Sequence, residues 1–305
     1  MPRDYVTVHV PATTANLGPG FDCLGLALDL QNTVTVERSG QRLIEIAGEG
    51  EKELSRQTDN WVYQGMAALC KRIEQTVPPV RIICHNRIPL SRGLGSSAAA
   101  ALSGVLASNA LCDDALPQRE LLLLAAALDG HPDNVAPALL GGCQIVVQDD
   151  EQGLVTAPVP VPPELRAVLF LPDFAMPTAQ ARAVLPVLIN RQDAVFNIGR
   201  TALLVSSLFT GKLEALRLAT QDRLHQRPRQ VLFPAMPKLL QAALDAGAFG
   251  AFLSGAGSSI IALAGSDGQA QAVGQALQAS AQDNEVAGSW RVLLPAARGA
   301  QVLAQ

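Results

Sequence analysis

Lysine is scarce in this chain: Lys52, Lys71, Lys212 and Lys238 are the only four, scattered over 305 residues. The formal net charge is −4 and no block of like charges occurs. A nucleic-acid partner needs a clustered basic face to neutralise phosphates, so that class is set aside. The five cysteines, Cys23, Cys70, Cys84, Cys112 and Cys143, form no C-x-x-C pair. Their odd count and irregular spacing fit buried thiols in a reducing compartment, not a disulfide framework or a zinc site. No apolar run reaches the roughly 18 residues that a membrane helix needs. The N-terminal stretch lacks the basic and then apolar order of a secretory leader. The expectation is a cytoplasmic protein with no membrane partner. What is plentiful is apolar surface, 49% of residues, enough for a large core; the length suggests two domains.

Periodicity gives a mixed pattern. Residues 5–10 alternate as a strand, and residues 11–22, rich in Thr, Asn, Gly and Pro, read as a loop. Residues 33–37 and 43–47 read as a strand pair, residues 61–73 as a helix capped by Asp59 or Asn60, and residues 80–85 as a strand. Helices are expected at 98–111, 117–129 and 134–140, then a strand at 143–148. Four prolines within residues 158–163 exclude helix or central strand, and mark the boundary between domains at 1–157 and 158–305. Beyond it come a strand at 168–171, helices at 178–188, 193–210 and 236–246, and strands at 249–253 and 260–264 flanking a second glycine-rich turn, residues 254–259. Runs of strands and paired helices, not strict alternation, indicate an α+β protein.

The segment Gly93-Leu94-Gly95-Ser96-Ser97 follows a strand and opens a helix rich in alanine. Glycines let backbone N–H groups turn toward an anion, and the helix start adds its free N–H groups and positive dipole end. Three readings compete. A Walker loop needs a Gly-Lys pair that this segment lacks. The match of Gly93–Ala98 to G-x-G-x-x-A is weak as a dinucleotide fingerprint, because residues 86–92 separate it from the strand and a helix follows its helix. A tight packing turn is the third.

The longer pattern Pro89-Leu90-Ser91-Arg92-Gly93-Leu94-Gly95-Ser96-Ser97-Ala98-Ala99 resembles the phosphate loop of the galactokinase, homoserine kinase and mevalonate kinase (GHMP) superfamily. PATTANLGPGFDCLGLAL near the N-terminus, HPDNVAPALLGG in the centre, and PTAQARAVLP, DRLHQRPRQVLFP and LSGAGSSIIAL in the second half are similar to the motifs of homoserine kinases in particular. The resemblance covers nearly the whole chain. It implies a two-domain GHMP fold, with an N-terminal nucleotide-binding α/β domain and a C-terminal ferredoxin-like α/β sandwich. It also implies transfer of the ATP γ-phosphoryl group to the hydroxyl of L-homoserine with Mg²⁺, and a homodimer. A kinase for another small alcohol such as mevalonate and a catalytically silent nucleotide binder are the alternatives.

The roles follow from the same resemblance. Residues 89–98 are implied to hold the phosphates and the neighbourhood of Asn60 the adenine. Asn16, Asp22, His131, Asn134 and Thr178 are implied to line the acceptor site, with Arg182 and Arg229 clamping its carboxylate, a task that suits the planar guanidinium fork. Arg227-Pro228 interrupts the usual His-Gln-Pro-aromatic-Arg order, so Arg223 or Arg227 could share that task. Ser97 and Asp129 are implied to hold Mg²⁺. Asp129 replaces the family's usual Glu, and as a negative charge at a helix C-terminus it would welcome a cation. Asn134 stands where other branches of the superfamily carry an Asp base, and an amide takes no proton. The expectation is direct transfer, with Asn134 and Asp22 orienting the hydroxyl and Asp133 as the rival base. Ser258 replaces a usual Pro in the second glycine-rich turn, which is expected to be looser for it and to play a supporting part.

Overall fold

The computed structural model describes residues 4–304; residues 1–3 and 305 lie outside the described part. Strands β1 (Tyr5–Ala15) and β2 (Leu24–Arg38) run antiparallel along their whole lengths, with an irregularity between Pro11 and Ala12. The loop expected at 11–22 is therefore shorter. Residues 12–15 are buried and find partners in the first half of β2, so the chain stays extended until Asn16. Strand β3 (Leu43–Gly48) does not pair with residues 33–37. It lies parallel to β4 (Val80–Asn86), which separates it from β2, and helix α1 (Trp61–Arg72) supplies the crossover that a parallel pair requires.

Helix α2 (Ser96–Leu111) is apolar on all sides and buried on nearly all of them, as a central helix should be. It meets α1 through glycines. A Cβ on Gly104 would lie 1.9 Å from the Val62 carbonyl oxygen, and one on Gly65 2.3 Å from that of Ala101. Helix α3 (Gln118–Asp129) stops at Gly130, whose φ of +79° suits a residue without a side chain. Helix α4 (Pro132–Leu140) starts on its proline, two residues earlier than expected, because the first turn needs no N–H there. Strand β5 (Cys143–Asp149) joins the first half of β2, and β6 (Gly153–Val159) pairs with β5. Pro158 lies in β6, which takes no second partner, so the proline-rich stretch begins in an edge strand.

The second sheet is antiparallel with order β10-β7-β9-β8. Its strands are β7 (Arg166–Pro172), β8 (Gly250–Leu253), β9 (Ile260–Ala264) and β10 (Gly288–Leu293). Between β7 and β8 come α5 (Thr178–Ala183), α6 (Arg191–Thr210), the short helices α7 (Leu216–Ala219) and α8 (Gln226–Arg229), and α9 (Met236–Asp245). With α9 and α10 (Asp267–Asp283) packed on this sheet, the layout is ferredoxin-like. Helix α5 is shorter than the expected 178–188: Pro186 cannot extend it, and Val187 and Leu188 are 99% and 87% exposed, with nothing to pack against. Residues 265–305 carry α10, β10 and a last strand, β11 (Gln301–Ala304), none of which the periodicity reading assigns. Strand β11 returns to the first sheet and covers the free edge of β1.

The α1–α2 contact gives a test. Gly104→Ala is expected to destabilise the chain by about 1–3 kcal/mol through backbone overpacking. Gly268→Ala, where an added Cβ meets nothing within 4 Å, should stabilise it by about 0.4–1 kcal/mol. Urea midpoints at unchanged m-value measure both; equal effects would refute the packing account.

Candidate active site

Four consecutive carbonyls of the glycine loop are held from behind. Ser91 O accepts from Met176 N (3.0 Å), Arg92 O from Ser259 N (3.2 Å), Gly93 O from Ser254 Oγ (2.6 Å) and Leu94 O from Thr13 N (3.1 Å). Within a trans peptide the next N–H points opposite to its carbonyl, so the N–H groups of residues 92–95 turn the other way. Ser91, Gly93 and Gly95 make this possible with φ of +52°, +71° and +70°. A Cβ on Gly93 would fall 2.0 Å from Ser254 O, and one on Gly95 2.1 Å from Thr13 Oγ1. Gly95 then caps α2 without a side-chain hydrogen bond, leaving the helix start open for an anion.

Two cavities meet at this point and share Ser91, Ser96 and Ser97 as lining residues. The first, about 240 Å³, is polar and includes Asn16, Asp22, Asp129, His131, Asp133, Asn134, Thr178, Arg182 and Arg229. The second, about 340 Å³, is lined by Leu54, Asn60, Trp61, Val62 and Leu90 among others. The expected acceptor-site residues thus converge, and the helix start lies between them and the Asn60 cavity. The side chain of Asn60 is committed as the α1 cap, accepting from Val62 N and donating to Ser55 O. Of the expected phosphate-loop residues, Pro89, Arg92 and Ala98 do not line either cavity. Arg92 instead donates to Pro172 O and Asp173 O, fastening the loop to the second sheet.

The polar cavity is a balance of charges. Arg182 pairs with Asp22 through both Nη atoms, at 2.9 and 3.1 Å. Arg229 is 2% exposed. It donates to Ala181 O, Gly255 O and His225 Nδ1, while burial and then Arg182 push its guanidinium down to about 10, so it stays charged. Arg223 and Arg227 line a separate depression, so only Arg182 and Arg229 of the four expected arginines line the polar cavity. Asn134 Oδ1 accepts from Thr13 Oγ1 at 2.8 Å, fixing its amide. Asp133 is buried, and desolvation, followed by the charge of Asp22, lifts its carboxyl to about 6. His131 Nδ1 lies 3.2 Å from Asp129 Oδ2, and this hydrogen bond draws its imidazole upward.

Asp129 is not a solvated helix end. Its side chain is 2% exposed, and its Oδ1 is buried with no hydrogen-bond partner. A buried carboxylate oxygen without a donor calls for a cation or water. Ser97 lines the same cavity. No group of three or more His, Cys, Asp or Glu arranged for a metal occurs among the described residues. Mg²⁺ needs only one or two protein oxygens beside phosphates and waters, so Asp129 and Ser97 fit it.

The second glycine-rich turn packs directly on the loop, as expected, but it is not loose. Ser258 is fully buried and donates to Phe174 O at 2.6 Å, and Asn16 Nδ2 donates to Gly255 O at 2.9 Å. Sequence patterning missed Thr13, Phe21 and His225. The last two touch, with ring centroids 5.2 Å apart. The signal for His225 was its place four residues before Arg229, one helical turn away.

Residues 60–142 match the family described as GHMP kinases N terminal domain, and residues 204–283 match GHMP kinases C terminal. A homoserine kinase of Microchaete diplosiphon is 45% identical over 91% of this chain and 90% of its own length. One of a Synechococcus species is 42% identical over 97% of both. The crystal structure of homoserine kinase from Cytophaga hutchinsonii superposes with a TM-score of 0.89 at 32% identity, covering 99% of this chain and 98% of that one. An L. major mevalonate kinase in complex with R-mevalonate reaches 0.70 at 16% identity over 94% and 95%, a likeness of fold.

Asp133 makes stability depend on pH. Its folded pKa lies above the unfolded one, so between about 4 and 6 the unfolded chain loses this proton first and stability falls as pH rises. The full loss, reached above about 6, is roughly 3 kcal/mol. Asp133→Asn should therefore be more heat-stable than the wild type at pH 7.5, with the gap closing near pH 4. Thermal melts in chelator check this; a gap independent of pH would refute it.

Proposed function

The chain belongs to the homoserine kinase family of the GHMP kinases, and on that footing we propose that it transfers the γ-phosphoryl group of ATP to the side-chain hydroxyl of L-homoserine. The observation that carries this reading is the junction of the two cavities at the open start of α2. One cavity suits a nucleoside, the other a small zwitterion. Arg229 and Arg182 supply cations for a carboxylate, and Asp22 and Asp133 supply anions for an ammonium. The Asp22–Arg182 pair stands ready to exchange its partners for the two charges of an amino acid, which desolvates neither group unpaired. Mevalonate, with a carboxylate and no ammonium, would leave Asp22 without a cation.

In the proposed step the homoserine hydroxyl oxygen bonds to the γ-phosphorus as the bond to the β–γ bridging oxygen breaks. ADP leaves, and the hydroxyl proton passes to a phosphoryl oxygen. Little covalent work falls to the protein in such a loose transition state; positioning and electrostatics do most of it. The N–H groups of residues 92–95 and the α2 start stabilise the transferring charge, and Asn134, held by Thr13, orients the hydroxyl. Mg²⁺, held by Asp129 and Ser97, would neutralise charge on the phosphates. A second reading makes Asp133 the general base, favoured by a buried carboxyl near 6, close to the optimum for proton transfer. Exposed Val195, Ile198 and Phe209 on α6 are consistent with association of two copies.

A coupled ADP-release assay over homoserine, serine, threonine, mevalonate and galactose tests the reading: homoserine should give the highest kcat/KM, and no stimulation by it would end the proposal. Ser97→Ala should lower kcat by roughly 10²-fold with the homoserine KM little changed. Asp133→Asn separates the two proton paths. Direct transfer predicts kcat within about tenfold of wild type, whereas a lost base removes about 10²–10⁴-fold.

A further inference from the structure

Behind the acceptor cavity, His225 is fully buried and touches both of the segments that bring charge to it. Its Nε2 lies 2.7 Å from Gly18 O and its Nδ1 2.7 Å from Nη1 of Arg229. A carbonyl oxygen can only accept and a guanidinium can only donate. The proton must therefore sit on Nε2, and Nδ1 must offer a lone pair. These neighbours leave one form of the ring, neutral with Nε2–H. Burial and the charge of Arg229 act in the same sense, although Asp222 pulls the other way, and the imidazole is held down at about 4. The backbone is fixed too: the Asp222 carboxylate accepts from the N–H groups of Leu224, His225 and Gln226 and from the Asn197 amide.

The other face of the ring stacks on Phe21, the residue before Asp22. The guanidinium carbons of Arg182 and Arg229 lie 5.8 and 5.7 Å from the centroid of the same Phe21 ring. One side chain thus links the loop that presents Asp22 to the helix that presents Arg229. Those two residues are the opposite charges that would meet the ammonium and the carboxylate of an amino-acid substrate.

We propose that His225 is a positioning residue: through Gly18 O on one nitrogen and Arg229 on the other, it sets the spacing between the ammonium-binding and carboxylate-binding sides of the acceptor cavity. The inference rests on the homoserine reading above. It touches no reacting atom, so its removal should weaken acceptor binding and spare the nucleotide. The two nitrogens can be tested separately. In His225→Asn the Oδ1 can still accept from Arg229; in His225→Gln the Nε2 can still donate to Gly18 O; His225→Phe keeps the stack on Phe21 and loses both bonds. Steady-state assays should show the homoserine KM raised at least tenfold in His225→Phe and less in the two amide variants, with the ATP KM within twofold throughout. A homoserine KM within twofold of wild type in His225→Phe would overturn the proposal. So would a parallel rise of both KM values that tracks a lower melting temperature, the mark of a merely structural role. If His225→Phe fails to fold, the amide variants decide by the same criteria. Nitrogen-15 NMR of the wild type at pH 7, with the signal assigned by its loss in His225→Asn, should show Nε2–H and a bare Nδ1; the opposite tautomer would overturn the proposal even in an active enzyme. Wild-type chain that ignores homoserine in the same assay would instead defeat the activity reading, which separates the two failures.

Discussion

Everything at this site depends on which way four peptide planes face. The carbonyls of Ser91, Arg92, Gly93 and Leu94 are each tied down, one by β1 and three by residues that come more than 80 positions later in the chain. A polypeptide loop left to itself would spend those carbonyls and N–H groups on water in no fixed direction. Here the donors come from a strand on one side and from the 254–259 turn and residue 176 on the other. The N–H groups are left preorganised for an anion, with no reorganisation needed when charge arrives. The absence of side chains at positions 93 and 95 is what lets the second turn and Thr13 approach closely enough to do this.

Charge in the acceptor cavity follows the same logic of prior arrangement. Each cation there already has a partner, the Asp22–Arg182 pair on the exposed side and the His225 and carbonyl acceptors around Arg229 on the buried side. The unsatisfied group is an anion, Asp129 Oδ1. On the proposed reading a small zwitterion would exchange into the Asp22–Arg182 pair, and a divalent cation would satisfy Asp129. Asp133 sits between them, buried and reluctant to ionise. The instability it imposes near neutral pH is the kind of local conflict that folds retain at working sites.

Much of this was legible in the sequence because it was written in local chemistry. The glycines at 93 and 95, the alanine-rich helix after them and the charged motifs around 131, 182 and 229 each announce themselves within a dozen residues. The long-range partners did not. Nothing near residue 93 says that Ser254 will donate to its carbonyl, and nothing near residue 43 says that β3 will pair parallel to β4 across α1. Buried segments were also hard to read: residues 12–15 look like loop chemistry, yet burial on both faces makes them strand. His225 carried one local signal, its place four residues before Arg229; its other partner is a carbonyl 207 positions away.

The glycine contact between α1 and α2 also limits how the Asn60 cavity can change. With Gly104 and Gly65 set against opposing carbonyls, the two helices meet backbone to backbone at these positions, where no side chain can be trimmed to change their spacing. The wall carrying Asn60 and Val62 is therefore close-packed on the helix whose open start would face the phosphates in the proposed function. On the proposed reading, widening this cavity for a different base by sliding α1 outward would disturb the phosphate end as well. Widening would have to work on the opposite side, through replaceable side chains such as Leu54 and Leu90. On the proposed reading base preference would be tuned at such positions, with Leu54 apart from the loop and Leu90 directly before Ser91.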